Sequence, residues 1–137
     1  MKNAYIYSIL IILAVILGCA SQLAVKEIWV EPKESAPGDN ATIFVVLKGS
    51  ANKVSKIIAT VREATDLYFP LNDEGKEGDK KAGDNIWSSQ VVVPWEADSG
   101  IYHLDFSVYD KEGNELVTEG LEQQRTGRSG TVEVIVK

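Results

Sequence analysis

The sequence predicts an all-β fold: an antiparallel β-sandwich of about seven strands. Three observations carry that prediction. Apolar residues recur with period two, not 3.6, along most of the chain. The apolar runs are short and are separated by clusters of Gly, Pro, Asn and Asp. No convincing helical stretch interrupts them.

A first strand covers residues 25–31. In residues 41–47, Ile43, Val45 and Leu47 share a face, and Phe44 and Val46 make the other face partly apolar. That pattern belongs to a central strand covered on both sides. Ile57, Ala59 and Val61 alternate next, and a short strand follows at residues 67–71. Trp87, Val91 and Val93 repeat the alternation. From 101 to 109 it is nearly complete: Tyr102, Leu104, Phe106 and Val108 point one way, Ile101, His103, Asp105, Ser107 and Tyr109 the other. Val132, Val134 and Val136 form the last strand. The breakers are Pro37-Gly38-Asp39-Asn40, residues 48–52, the acidic segment 72–85, Asp98-Ser99-Gly100 and residues 110–114. Residues 116–124 have room for one turn of helix, weakened by Thr118 and Gly120. Residues 123–130 are polar and glycine-punctuated, and read as a loop before the last strand.

Asp98-Ser99-Gly100-Ile101-Tyr102 has the Asp-x-Gly-x-Tyr form. Physically, Gly100 is expected to let the chain turn tightly, and Tyr102 to tuck its ring inward while its hydroxyl returns to backbone near the corner. The motif resembles the turn into the penultimate strand of immunoglobulin-like domains. Two residues later, where antibody domains place a Cys, stands Leu104. The resemblance implies an immunoglobulin-like sandwich over about residues 24–137 without its disulfide, and it says little about function.

The N-terminus supplies an address. Lys2 gives a minimal positive n-region, and residues 6–17 are apolar apart from Tyr7 and Ser8. The length matches a signal-peptide h-region and falls short of the roughly 20 apolar residues a membrane-spanning helix needs. The only cysteine, Cys19, stands at the end of this run and has no partner for an internal disulfide. Ile16-Leu17-Gly18-Cys19 resembles the lipobox of prokaryotic lipoproteins. The resemblance implies cleavage before Cys19 and a diacylglyceryl group on its sulfur. The competing reading is an uncleaved N-terminal anchor, and both readings put the folded part outside the cytoplasm. The expected organisation is a signal peptide at 1–18, a tether at 19–23 and one domain at 24–137.

Charge narrows the partners. The net charge is −6 at pH 7, and the leader contains Lys2 as its sole charged residue, so the remainder stands at −7. Such a body repels phosphate backbones, which argues against nucleic-acid binding. It also repels anionic lipid, so membrane contact is expected through the anchor and not the domain.

The densest polar constellation is residues 72–85, followed by Ile86-Trp87. Hard cations such as Ca²⁺ take about six to eight oxygen ligands. Asp73, Asp79 and Asp84, with Asn72 and Asn85 beside them, are candidate Ca²⁺ ligands, and the interspersed glycines let the chain reverse around an ion. The segment lacks the EF-hand register. It resembles a stretch in extracellular β-sandwich modules of prokaryotes, Asp-x-Gly-x-x-Gly-Asp-x-x-Ala-Gly-Asp-Gly before an aromatic-bearing strand. Asp73, Gly75, Gly78, Asp79, Ala82, Gly83, Asp84 and Trp87 meet that pattern. Asn85 stands where the pattern has its last Gly, a replacement Asn permits because it tolerates positive φ. A second, compatible reading makes the segment a solvated loop in which Asp79 and Asp84 cap backbone amides, with Lys76, Lys80 and Lys81 offsetting charge.

Trp faces stack on sugar rings when exposed. Trp87 shares a face with Val91 and Val93 and reads as core. Trp29, flanked by Glu27 and Glu31, is the better candidate for exposure, and Trp95 after Pro94 is a second. His103 is the only histidine and lies on an outward face. With one His and the Cys placed in the anchor, Ser-His and Cys-His catalysis have little to draw on. Zinc spacing and phosphate-cradling loops are missing from the sequence. The expectation is a non-catalytic, lipid-anchored protein at the cell membrane, its domain facing the periplasm or exterior. It would contact another envelope protein or an extracellular ligand, with Ca²⁺ stiffening the acidic loop. The alternative is a small carbohydrate-binding module, or an accessory domain of an extracellular enzyme system.

Overall fold

Among the described residues the seven period-two runs and one further short segment form eight strands: β1 (Ala24–Glu31), β2 (Glu34–Ser35), β3 (Asn40–Lys48), β4 (Lys56–Val61), β5 (Ala64–Leu71), β6 (Ile86–Val92), β7 (Gly100–Tyr109) and β8 (Val132–Val136). The computed structural model describes residues 23–116 and 132–137. Strands β1-β3-β6 make one sheet, and β2-β8-β7-β4-β5 the other. All pairings are antiparallel except β2 with β8, which is parallel. The result is an all-β sandwich. Among the described residues the only helical turn is a 3₁₀ turn at Ala51–Lys53, and no helix is long and apolar enough to cross a membrane.

The apolar faces read from the sequence meet between the sheets. Ile43, Val45 and Leu47 of β3 face Ile57, Ala59 and Val61 of β4 and Leu104, Phe106 and Val108 of β7 in one buried cluster. Ile43, Ile57, Val45 and Val108 are fully enclosed, each burial contributing about 1.5–3 kcal/mol. The central position of β3 explains its second apolar face. Phe44 lies opposite Trp29 of β1, and the two rings stack at 4.8 Å between centroids and 14° between planes. An aromatic cross-strand pair of this kind covers the outer side of the sheet.

The order of elements sets two ends. At one end stand the start of β1, the end of β3 and the start of β6, since Ala24 pairs with Lys48 and Val46 with Ile86. The acidic loop rises from this end. At the other stand the 36–39 turn, the β4–β5 turn and the 93–99 segment, since Asn40 pairs with Val92 and Gly100 with Val136.

Three expectations need correction. Strand β2, two residues long, was invisible to periodicity because two residues have no period. Strand β5 starts three residues before the expected position 67, at Ala64, because it pairs with β4 up to a register shift at Val61. Gly100 has no positive φ, and a Cβ there would meet open space, so it opens β7 as extended backbone and forms no tight turn. Cys19, the 1–18 leader, tether residues 19–22 and residues 117–131, which hold the foreseen loop and all of the foreseen helical turn but residue 116, lie outside the described residues.

Candidate functional site

The acidic segment between β5 and β6 folds back over the outer face of the β1-β3-β6 sheet. Its base is closed by an antiparallel bridge in which Asn72 and Ser88 exchange two backbone hydrogen bonds of 2.9 Å each. Further along, the amide of Gln90 donates to the carbonyl of Glu77 at 2.9 Å. Gly78 presses onto the neighbouring Thr42–Gln90 pair; a Cβ there would stand 3.0 Å from Thr42 Cγ2. At Asn85, φ is 63°, the left-handed conformation that Asn tolerates. Its carbonyl accepts from the amide of Leu47 at 2.9 Å.

The loop is organised by its carboxylates. Asp73 accepts from the amides of Asp84 at 3.3 Å and Asn85 at 3.1 Å. Asp79, which is buried, accepts from the amides of Gly75 and Lys81. Asp84 accepts from the amide of Ile86 at 3.0 Å, and Asn72 Oδ1 from that of Glu74 at 3.1 Å. These are Asx-type bonds that let short polar side chains replace a backbone ladder. The same folding brings one carboxylate oxygen of each of Asp73, Asp79 and Asp84 within 4.8 Å of the others. Burial, and the negative charges of Asp79 and Asp84, outweigh the two amide bonds and push the Asp73 carboxyl up. Lys76 pairs with Glu74, outside the trio. Of the two asparagines the sequence grouped with the three aspartates, Asn72 uses its side chain on the Glu74 amide and the Ser88 carbonyl, and Asn85 contributes its backbone at the end of the loop.

A hard cation suits this donor set chemically, because carboxylate oxygens are what Ca²⁺ takes. Three monodentate carboxylates fall short of a full Ca²⁺ shell, so carbonyls or waters would complete it.

At the opposite end, the Tyr102 hydroxyl donates to the carbonyl of Asp98 at 2.9 Å. Nearby, Trp95 is 75% exposed. Its six-membered ring lies against Gly38, where φ is +87° and a Cβ would come within 2.3 Å of the ring. One face of the indole is thus backed by backbone and the other is open. Trp29 does not have the exposure expected of it. It is half-buried on Phe44, and its Nε1 donates to Glu31 Oε1 at 2.9 Å. The alternation that seemed to place it among acids placed it over a second apolar face of β3.

Sequence reasoning missed one cluster. His103 Nδ1 lies 2.6 Å from Glu63 Oε1, its backbone amide donates to Glu63 Oε2 at 3.0 Å, and Nε2 is 3.8 Å from Glu133. Beside it, Arg62 makes two hydrogen bonds to Asp105, at 3.0 and 2.6 Å. The partners come from the β4–β5 turn and β8, and only strand pairing reveals them.

No protein-family model matches the chain, and no curated protein matches it.

Proposed function

We propose that this protein is a non-catalytic cell-envelope lipoprotein, anchored at Cys19, whose sandwich is an immunoglobulin-like interaction module with an acidic loop stiffened by Ca²⁺. The observation that carries the reading is the convergence of Asp73, Asp79 and Asp84 in a loop that their own side chains organise. The strand order and the Tyr102–Asp98 corner bond support the immunoglobulin-like assignment. The ionisable clusters already described are engaged in structural bonds, which favours a scaffold over an acid–base centre.

The anchor reading implies an orientation. Five tether residues reach at most about 18 Å, and β1 starts at the acidic-loop end. That end faces the bilayer, where bound Ca²⁺ offsets the repulsion between the acidic loop and anionic lipid. The 93–99 segment with Trp95 faces outward, to an envelope or extracellular protein. The open indole face favours carbohydrate as a second reading.

Membranes carrying the Cys19 chain, compared with a Cys19→Ser form, test the anchor and name the partner. Metabolic incorporation of a lipid label and a co-purifying protein in the first form alone are expected. A soluble, unlabelled Cys19 chain overturns the anchor. Calorimetry with Ca²⁺ tests the loop: binding that Asp79→Ala abolishes is expected, and no heat with the parent chain overturns the Ca²⁺ reading. Silence on a glycan array ends the carbohydrate reading.

A further inference from the structure

The two sheets differ in width. Three strands face five, which at about 4.8 Å per strand makes the first sheet narrower by about 10 Å. One margin is met by β1 against β8 and the other by β6 against β5. Among the described residues no strand of the narrower sheet lies beyond β6 to cover the inner face of β5. At the acidic-loop end this seam is shut by the Asn72–Ser88 bridge. At the opposite end it gapes into a half-open cavity of about 320 Å³ that runs between the sheets.

The lining is almost wholly apolar. Leu67 and Phe69 of β5, Val91 of β6, Ala64 and Pro94 border it, and among the described residues the one charged group there is the exposed Glu96. We infer that this cleft binds the neutral aliphatic chain of a small lipid-like molecule. An apolar cavity of about 150 Å³ already takes up benzene. With a methylene near the roughly 30 Å³ a water molecule occupies, this space takes a chain of about ten carbons. An anionic head is disfavoured, because the rim offers it Glu96 and no cation among the described residues. A peptide strand is disfavoured on a separate ground. The acidic loop already accepts hydrogen bonds from the β6 edge amides of Ile86, Ser88 and Gln90, which strand addition would need. The proposal rests on the sandwich alone and stands whether or not Cys19 is lipidated.

The test is photolabelling of the full chain in neutral phospholipid vesicles with a diazirine-bearing decanol, followed by peptide mapping. Adducts are expected on the peptides that carry Leu67, Phe69 and Val91, displaced by excess decanol and not by decanoate. Between hexanol and decanol, competition expressed against free aqueous alcohol, with the bilayer-dissolved share subtracted, should tighten about fourfold per methylene and level off once the cavity is full. Ala64→Phe and, independently, Val91→Phe should remove the adducts while keeping the cooperative unfolding of the parent. Should either variant fail to fold, the competition series on the parent chain decides alone. Adducts scattered over the surface, no adducts, or equal displacement by decanoate would overturn the inference.

Discussion

The Tyr102 hydroxyl and the Asp98 carbonyl are joined by a 2.9 Å hydrogen bond across the corner that leads into β7. The ring of Tyr102 is half-buried against the core while its hydroxyl reaches back to backbone. Tyr102→Phe keeps the packing and leaves the carbonyl, which is near solvent, to water. The loss should be about 1 kcal/mol. In urea the midpoint should fall with an unchanged slope, since the exposed area on unfolding does not change.

The return of the Tyr102 hydroxyl to nearby backbone was legible because the two residues are close in sequence, although the turn assigned to Gly100 was not found; the core of the sandwich was legible too. Alternation at Leu104, Phe106 and Val108 needs no knowledge of the partner strand to say which side faces inward. The same reasoning failed at Trp29, because exposure there depends on Phe44 in the neighbouring strand. It failed at His103 for the same cause: Glu63 and Glu133 become its neighbours only through the pairing of β7 with β4 and β8. In the acidic loop the residue types were visible, and Asn85 was read as a stand-in for glycine. Capping of amides by Asp79 and Asp84 was expected there, and both do it. The part of Asp73 was not expected: it accepts from the amides of Asp84 and Asn85, 11 and 12 residues on, and closes the loop.

Gly38→Ala should be costly at an exposed turn. The residue has φ +87°, and the new methyl would collide with the Trp95 ring. Backbone strain of this kind costs about 1–3 kcal/mol, and the collision adds to it. In a Trp95→Ala background the collision disappears and the strain stays. A double-mutant cycle by chemical denaturation should therefore give a smaller penalty for Gly38→Ala when Trp95 is absent. Equal penalties in the two backgrounds would mean that the indole does not rest on Gly38 in solution.

Glu63 predicts a pH dependence with a definite sign. Burial raises its carboxyl, but the His103 amide and ring bonds and the His103 charge together outweigh burial, and the net position is below the usual 4.5. A carboxylate lowered by folding adds stability that is present above that usual value and lost as pH falls through the folded one. Glu63→Gln should flatten this limb of the stability curve and leave the rest in place. Thermal melts from neutral to acid pH, run for both chains, read the difference as a gap in Tm that closes on acidification.

Asp73 has the opposite sign, and that opposition separates the loop from the His103 cluster. Its folded carboxyl is raised, by burial first and then by Asp79 and Asp84. The folded state therefore holds a proton more tightly than the unfolded chain does, and this group opposes folding at neutral pH. The opposition is relieved as pH falls through the raised value towards the usual 3.8. A divalent cation relieves the same repulsion without a proton. Ca²⁺ at a hundred times its dissociation constant should stabilise the parent chain by about 2.7 kcal/mol. Asp73→Asn keeps one oxygen to accept an amide and removes a charge from the trio. It should raise stability without the ion and shrink the response to Ca²⁺. Parallel melts of both chains with EDTA and with Ca²⁺ at neutral pH measure both effects. An Asp73→Asn chain that melts lower in EDTA would show that the amide bonds, and not the crowded charges, dominate the loop.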